Sequence, residues 1–429
     1  MERLYQYLWK HSMLGRRLVT TDGCHVRLLS PGVWNENAGP DFFNAKIAIE
    51  DQTWVGNVEI HVKASDWYRH NHDKDASYDS VMLHIVAIDD ARINRSDGSH
   101  IPQVCVNFPQ EFYYIYSALS NNISDIRCAP YIPSLSPLQI EDWLSSLAVE
   151  RIQEKANRIL DIHSKNRGDW QYTCFVTFAR ALGFGLNSEP FEMLANSINL
   201  NFLSRHSDNL FQLEALLFGQ AGMLDMNYHI FDEYYQGLCR EYYFLARKYS
   251  LRPLRNSVWK YSRTRPGNFP HRRIAMLAQY LYGGFSLMGD ILATSGDEEK
   301  CRELFVMDLE GSYWETHSGF GSEETRASVS LSDNSVDLLL INLIAPLLYA
   351  YSASNGDYER AEQAMSLWEN LDAEKNKYIR QWKGYGICCE DALHSQALLQ
   401  LRKAYCDRDK CLDCRFAHGV LRKAVLKWQ

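Results

Sequence analysis

Apolar residues recur along the chain with two different periods. In the N-terminal part they alternate with polar residues over short runs, at His25–Leu29, Ala45–Ile49 and Trp54–Lys63, which is typical of half-buried strands. Ser80–Ile88 is a continuous apolar run, as in a central strand that is covered on both faces. The short polar link at residues 50–52 predicts that the two runs beside it form a hairpin.

Two further elements complete this first region. Helical spacing of apolar residues over Glu2–Leu14 predicts an opening helix. Ile101–Phe108 has the composition of a strand, and Pro102 places it at an edge because proline has no N–H to donate to a sheet ladder. The region is therefore predicted to be a mixed α/β module.

The period becomes helical after Tyr131–Pro137, a proline-containing linker in which Ser136 is a plausible N-cap. The predicted fold class is α+β, with an α/β domain over residues 1–130 and a mostly helical domain over 131–429. A stretch rich in glycine and serine, residues 311–332, is predicted to be a loop. The predicted helices are 138–165, 170–184, 188–198, 208–222, 228–249, 270–284, 298–308, 333–352, 357–371, 374–384, 390–406 and 411–427.

Composition points to a protein of the cytoplasm. The opening residues carry charges where a signal peptide needs an apolar stretch. The longest apolar run, Val336–Tyr351, contains Asp337 and Asn342 and is predicted to be a buried helix rather than a membrane span. Eleven cysteines without an export signal favour free thiols or metal ligands over disulfides.

The clearest chemical signal is an aspartate followed by an alternating polar strand. Pro40 is well placed where a chain enters a strand, so Asp41 is predicted at the start of that strand. Within Val58–Lys63, Glu59, His61 and Lys63 share one face of the next strand. A hairpin would bring Asp41 and Glu59 together across adjacent strands.

Two carboxylates held close together repel each other unless a cation lies between them. Hard oxygen ligands select Mg²⁺ or Mn²⁺, and such a metal activates water and neutralises charge on a phosphate. His61, or Lys63 on the same face, is the candidate for orienting or deprotonating that water. The catalytic prediction is therefore Asp41, Glu59, His61 and Lys63.

The order of these elements resembles the core of the PD-(D/E)xK nuclease superfamily, which has a restriction-endonuclease-like fold. The resemblance implies that Asp41 and Glu59 bind metal and that His61 stands where the superfamily has lysine. Some members also have a glutamate on the first helix, which corresponds to Glu2. Over nearly its full length the chain is similar to a bacterial family known as domain of unknown function 2851, through WNENAGPDFFNAKI, GNVEIHVKASDWYRHNHDKDASYDSVMLHIV and the cysteine-bearing C-terminus.

Several alternatives stay open. The polar face of the second strand is also what a solvated strand would show, and a nuclease-like core can persist as an inactive nucleic-acid-binding or assembly protein. Histidines suit transition metals, so a metallohydrolase acting on another substrate is a third hypothesis. The candidate ligands for it are His70, His72, Asp75 and His84, together with His61.

A second candidate metal site lies among the C-terminal cysteines. Five of the eleven fall within 27 residues, from Cys388 to Cys414. The predicted ligands of a Zn²⁺ ion or an iron–sulfur cluster are Cys389, Cys406, Cys411 and Cys414. The alternative is a set of reduced, buried thiols at helix contacts.

The net charge of −8 argues weakly against nucleic acid as a partner, but the charge is unevenly distributed. Residues 236–276 hold ten lysines and arginines against one acid, interleaved with aromatic residues. Cations neutralise phosphates and aromatic rings stack on bases, so this stretch is the predicted DNA or RNA contact. The residues chosen are Arg252, Arg255, Trp259, Lys260, Arg263, Arg265, Arg272 and Arg273.

Overall fold

The computed structural model describes residues 1–15, 18–121, 125–225, 232–262, 264, 266–323 and 329–428. The chain folds into two compact units. The first contains Met1–Trp143, Gly384–Ile387 and Leu401–Gln429, and the second contains Leu144–Lys383 and Cys388–Gln400. This division differs from a single boundary at residue 130, because the last part of the chain belongs to the first unit.

A mixed sheet forms the centre of the first unit. Its order is β1-β2-β4-β5-β6-β7, with β3 paired to β4 outside this path. The pairs up to β4–β5 are antiparallel, whereas β5–β6 and β6–β7 are parallel. The strands are β1 Leu18–Val19, β2 His25–Ser30, β3 Val33–Trp34, β4 Phe42–Ile49, β5 Gln52–Lys63, β6 Val81–Ile88 and β7 Gln103–Cys105.

The strand predictions agree with this sheet in all main points. The β4–β5 hairpin is present, β6 is a buried strand between two neighbours, and β7 lies at the end of the strand order. For β5, the alternative of a solvated polar face does not hold at Glu59 and His61. Glu59 is 5% exposed and His61 is 2% exposed, so the face that carries them is buried rather than solvated.

Helices from both ends of the chain complete the first unit. They are α1 Glu2–Lys10, α2 Asp66–Arg69, α3 Gln110–Asn121 and the last helix, α18 Arg415–Trp428. Helix α3 was not predicted, and α18 packs against it. Tyr7 of α1 also reaches α18, with its hydroxyl 3.2 Å from His418 Nδ1. These contacts explain why the C-terminal segment joins the sheet module.

The second unit is mostly helical, as predicted, and its first helix, Pro137–Lys165, begins in the first unit. Two short helices, Leu200–Ser204 and Leu287–Thr294, were not predicted. The helices are α4 Pro137–Lys165, α5 Trp170–Leu182, α6 Ser188–Asn196, α7 Leu200–Ser204, α8 Leu210–Gln220, α9 Glu233–Tyr249, α10 Pro270–Leu281, α11 Leu287–Thr294, α12 Glu298–Glu303, α13 Asp333–Leu339, α14 Ala345–Asn355, α15 Tyr358–Asn370, α16 Lys377–Gly384 and α17 Ala392–Gln400.

Part of the predicted loop at 311–332 is ordered structure. It contains a short hairpin of β8, His317–Gly319, and β9, Ser322–Glu323. Trp314, just before the hairpin, is fully buried, and its indole N–H donates to Glu214 at 2.8 Å. The hairpin therefore follows a residue anchored in the core. Residues 324–328 of the predicted loop lie outside the described residues.

Helices α13 and α14 are joined by a π-helical turn, Leu340–Ile344, and together form the apolar helix predicted from the sequence. Among the described residues, this helix alone is long and apolar enough to span a membrane by composition. Its apolar window is 67% buried inside the protein, as in the core helix of a globular domain. Its burial agrees with the predicted buried helix.

Close packing of α8 against α9 generates a stability prediction. A Cβ atom added at Gly219 of α8 would lie 2.1 Å from the ring of Tyr242 in α9, which is far inside van der Waals contact. We expect Gly219→Ala to lower the free energy of unfolding by about 1–3 kcal/mol, because the helices would have to separate. The measurement is the urea midpoint of the full chain by circular dichroism.

The matched control is Gly289→Ala in α11, where an added Cβ meets no atom within 4 Å. There the substitution should leave stability unchanged or raise it by up to about 1 kcal/mol, since alanine is the better helix former. Equal effects of the two substitutions would refute the packing argument.

Candidate metal centre

Asp41 and Glu59 are held together by each other's strand backbone. The N–H of Asp41 donates to Glu59 Oε2 at 3.0 Å, and the N–H of Ile60 donates to Asp41 Oδ2 at 3.0 Å. A bulge between Phe42 and Ala45, with Asn44 at φ 54°, shifts the register next to this contact. The predicted approach of the two acids across adjacent strands is therefore present in the structure.

Burial disfavours the charged form of both acids. It raises the pKa of Glu59, and the nearby charge of Asp41 raises it further. Burial also raises the pKa of Asp41, although hydrogen bonds from Gln6 and from the Ile60 backbone oppose that rise. Glu2 on α1 adds a smaller like-charge contribution at both carboxyls. A bound cation would offset this repulsion and keep both groups ionised.

A row of buried polar side chains leads away from this pair across the parallel strands. His61 Nδ1 lies 2.9 Å from His84 Nε2, and His84 Nδ1 lies 2.9 Å from Gln103 Oε1. The side-chain amide of Gln103 donates to Asp89 Oδ1 at 2.6 Å. His61, His84 and Gln103 are each at most 2% exposed, so these bonds replace water for all three.

The row fixes which nitrogen of His61 carries the proton. The carboxylate of Asp89 only accepts, so Gln103 must point its NH₂ group to Asp89 and its oxygen to His84. His84 then carries hydrogen on Nδ1 and accepts at Nε2. His61 accordingly donates from Nδ1 and keeps an unprotonated Nε2.

The pKa values of the two imidazoles agree with neutral rings. Burial lowers the pKa of His61 to about 2, and the neighbouring histidines lower it further. Burial lowers the pKa of His84 to about 4, against a raising effect of the Gln103 hydrogen bond. The unprotonated Nε2 of His61 lies 3.4 Å from Glu59 Oε1 and 3.2 Å from His70 Nδ1, on the side of the carboxylates.

Two further histidines reach the same place from the segment after β5. His70 directly follows helix α2 as its C-cap, Asn71 adopts a left-handed conformation with φ 60°, and His72 begins a short 3₁₀ turn. His70 Nδ1 lies 3.2 Å from His61 Nε2, and His72 Nε2 lies 3.5 Å from Glu59 Oε1. One ligand atom from each of His61, His70 and His72 lies within 4.8 Å of the other two.

The site therefore combines two carboxylates with three imidazole nitrogens. This donor set fits a divalent cation that accepts both oxygen and nitrogen, for which Mn²⁺ is better suited than Mg²⁺. Gln6, Gln103 and Asp89 were missed by the sequence reasoning. The requirement that a histidine inside SVMLHIVAI has a buried partner was the signal for Gln103.

Other residues predicted for this site lie elsewhere or have different partners. Lys63 is exposed, near the solvated end of β5. Asp75 Oδ1 accepts from both the N–H and the hydroxyl of Ser77, so this carboxylate caps a 3₁₀ turn. Both ring nitrogens of His84 are used within the polar row, which makes it a positioning residue rather than a ligand.

The basic stretch is divided between core and surface. Arg272 and Arg273 are 0% and 3% exposed, and Arg272 donates to the Trp314 carbonyl at 2.6 Å. Trp259 is also buried and donates to the Ala221 carbonyl at 2.8 Å. Their prediction as nucleic-acid contacts is therefore wrong, because these side chains hold the second unit together.

Of the other five residues in that prediction, three remain candidate nucleic-acid contacts and two lie outside the described residues. Arg252, Arg255 and Lys260 are exposed. Arg263 and Arg265 lie outside the described residues.

The predicted cysteine ligands belong to different units. Cys389 is a buried residue of the second unit, whereas Cys406, Cys411 and Cys414 belong to the first. The last three line a common cavity, and Cys389 is not among its lining residues.

The polar row generates a prediction about the His61 tautomer. In wild-type protein with ¹⁵N-labelled histidine, we expect His61 to be neutral at pH 7 with hydrogen on Nδ1 and none on Nε2. Gln103→Leu removes the acceptor that orients His84, so His61 should become a mixture of tautomers. Nitrogen-15 NMR measures both states. Gln6→Leu, another glutamine-to-leucine change in the same unit, should leave the tautomer unchanged, and an Nε2–H tautomer in the wild type would contradict the assignment.

The comparisons with known proteins give a family without an established activity. The family model described as "Protein of unknown function (DUF2851)" matches residues 2–377. No curated protein and no solved structure matches the chain.

Proposed function

The chain belongs to the DUF2851 family of proteins of unknown function, and from its site we propose that it is a metal-dependent nucleic-acid phosphodiesterase related to the PD-(D/E)xK nucleases. The observation that carries the proposal is the mutual backbone contact of Asp41 and Glu59 on adjacent strands. The restriction-endonuclease-like identity of the sheet module is part of the same proposal. Its support is the helix, the antiparallel hairpin and the parallel β5–β6 pair that carry the site.

The buried residues at the site favour a Mg²⁺ or Mn²⁺ cofactor held by Asp41 and Glu59, with the imidazoles favouring Mn²⁺. When bound, such a cation supplies Lewis-acid stabilisation of a phosphoryl oxygen and lowers the pKa of a bound water. The protein supplies the orientation. Gln6 holds Asp41 Oδ1 at 2.9 Å, and the two strand backbones hold one oxygen of each carboxylate.

His61 occupies the position of the superfamily lysine, and the polar row gives it a defined role. In this proposal His61 is not a ligand of the cation. Its unprotonated Nε2, which lies 3.2 Å from His70 Nδ1, instead accepts a hydrogen bond from the attacking water and orients it toward the scissile phosphate. The low pKa of the ring, about 2, makes His61 an orienting acceptor and a poor store for the proton. The proton is therefore released toward solvent or another base.

The first test is hydrolysis of single- and double-stranded DNA and RNA by the full chain with Mn²⁺ or Mg²⁺. We expect Asp41→Asn and Glu59→Gln each to reduce kcat/KM by at least about 100-fold, because each removes a charge that the cation requires. Mn²⁺ should raise the thermal unfolding midpoint of the wild type and have a much smaller effect on either variant.

The matched control is Asp75→Asn, an acid of the same segment that caps a turn. It should retain nearly full activity and Mn²⁺ stabilisation. Cleavage that persists unchanged in both Asp41→Asn and Glu59→Gln would exclude this site as its source. Mn²⁺ stabilisation without cleavage of any nucleic acid would support instead a nuclease-like core that binds without hydrolysis.

Nucleic acid is the proposed partner, and the exposed cations of the basic stretch are the proposed contacts. The triple change of Arg252, Arg255 and Lys260 to alanine should weaken binding of a DNA or RNA oligonucleotide by about 10-fold or more at low salt. It should also reduce the slope of log Kd against log salt, because fewer counterions are released. Fluorescence anisotropy at several salt concentrations measures both.

The control for this prediction removes equal charge elsewhere in the second unit. Arg205, Lys300 and Lys375 are exposed and lie outside the stretch, and changing all three to alanine should have the smaller effect. If the two triple variants weaken oligonucleotide binding equally, the loss reflects overall charge and the basic stretch is not a specific contact.

A metallohydrolase acting on a non-nucleic substrate is the second candidate. It is favoured by the close group of His61, His70 and His72, since imidazole suits Mn, Fe or Zn. Hydrolysis of a simple phosphomonoester or ester, lost in His70→Ala and His72→Ala while nucleic acids remain uncleaved, would support this candidate over the nuclease.

A further inference from the structure

Four cysteines surround one small cavity in the first unit. Cys128, Cys406, Cys411 and Cys414 line a space of about 20 Å³, together with Asp125, Arg127, Tyr405 and Ala417. A volume of this size holds about one water molecule or one ion. None of the carboxylate and histidine residues of the first candidate site lines this cavity, so the two sites share no residue.

Each thiol is presented by a tight backbone element rather than by a flexible chain. Cys128 immediately precedes the 3₁₀ segment Ala129–Ser134. Cys406 and Cys411 begin two further 3₁₀ turns, and Cys414 directly precedes α18. The turns are joined through Asp409, which has φ 57°, and the N–H of Lys410 donates to the Tyr405 carbonyl at 2.9 Å.

The thiols influence one another electrostatically. Burial raises the pKa of Cys128 well above its usual range, and Cys414, Cys406 and Cys411 raise it further. Burial raises the pKa of Cys406 to about 12, with added contributions from Cys414 and Cys411. Four thiolates around one small cavity would repel one another, and a cation among them would offset that repulsion.

The surroundings supply donors that suit thiolate sulfur. The backbone N–H groups of Phe416 and Ala417, in the first turn of α18, hydrogen-bond to the Cys414 sulfur. The side chain of Arg127 hydrogen-bonds to the Cys411 sulfur. Arg127 also forms an ion pair of 2.5 Å with Asp409, which lies in the loop between Cys406 and Cys411. Such second contacts commonly orient and stabilise metal-bound thiolates.

We propose that Cys128, Cys406, Cys411 and Cys414 together bind a metal centre through four thiolates. This assigns Cys128, and not Cys389, as the fourth ligand of the C-terminal cysteine group. Four sulfur ligands with no open position are typical of structural zinc sites and of iron–sulfur clusters. The centre would join residue 128 to the 406–414 segment and so close a very long loop in the chain.

The proposal is independent of the nuclease activity, and its test does not use that activity. The full chain is purified without oxygen and its zinc, iron and acid-labile sulfide are measured. About one zinc per chain supports a zinc site, and about four irons with sulfide and visible absorption support a cluster. Cys128→Ser should lower the metal content at least about 10-fold. Cys174→Ser, which alters a buried thiol of the second unit, should retain it.

A measurement on wild-type protein covers the case in which Cys128→Ser fails to fold. Native protein is treated with iodoacetamide before and after incubation with a strong chelator, and the modified cysteines are identified by mass spectrometry. Exposed Cys105 and Cys388 should react in both samples. Cys128, Cys406, Cys411 and Cys414 should react only after chelation.

Two results would show that these cysteines bind no metal. One is metal-free protein whose four thiols react equally with and without chelator and do not bind added Zn²⁺ or Co²⁺. The other is a mass lower by about two hydrogens for each pair, which would show that these cysteines are joined as disulfides. Retention of full metal content in a folded Cys128→Ser variant would remove Cys128 from the ligand set.

Discussion

Parallel pairing of β5, β6 and β7 places polar side chains of three strands side by side inside the sheet module. The resulting row of Asp89, Gln103, His84 and His61 has one consistent pattern of donors and acceptors, because the Gln103 NH₂ group donates to Asp89 and leaves the Gln103 oxygen to accept from His84. That pattern leaves a lone pair at His61 Nε2, facing the carboxylates. The orientation of the candidate site therefore depends on Gln103, two strands away, and on an exposed acid at the end of the neighbouring strand β6. Hydrogen bonds within a buried row strengthen one another, and the loss of any member leaves the others unsatisfied.

The first unit contains two groups of buried or half-buried ionisable side chains held close together, one of carboxyls and one of thiols. Asp41 and Glu59 are carboxyls whose ionisation is opposed by burial and by each other, and the four cysteines around the second cavity are thiols under the same constraint. In both places the backbone supplies partial compensation, from strand N–H groups at the acids and from the first turn of α18 at Cys414. The two proposed sites would select different cations, since oxygen and imidazole ligands select harder metals than thiolates do.

Strands and helices with strong hydrophobic periodicity were predictable from the sequence, whereas contacts between residues far apart in the chain were not. The hairpin, the central strand β6 and most helices follow from local patterns, and the hairpin alone was enough to bring Asp41 to Glu59. The buried state of Glu59 and His61 was not predictable, because alternation indicates two faces without showing what covers each. Arg272 and Arg273 failed as surface residues for a related reason: their long side chains reach carbonyl, amide and sulfur acceptors inside the second unit. Cys128 lies 278 residues before Cys406 in the chain, and no local spacing rule connects such distant positions.

The first unit is discontinuous in the chain, since residues 401–429 return to a module begun by residues 1–143. A ribosome delivers the whole of the second unit before α18 exists, so the helical unit can complete its folding while the sheet module is still missing a helix. The contact between α3 and α18 then has to form late, across a separation of roughly 300 residues. Until that step, the apolar surface of α3 that α18 covers is open to other chains. Assembly of the sheet module is thereby delayed until the last helix of the chain has been made.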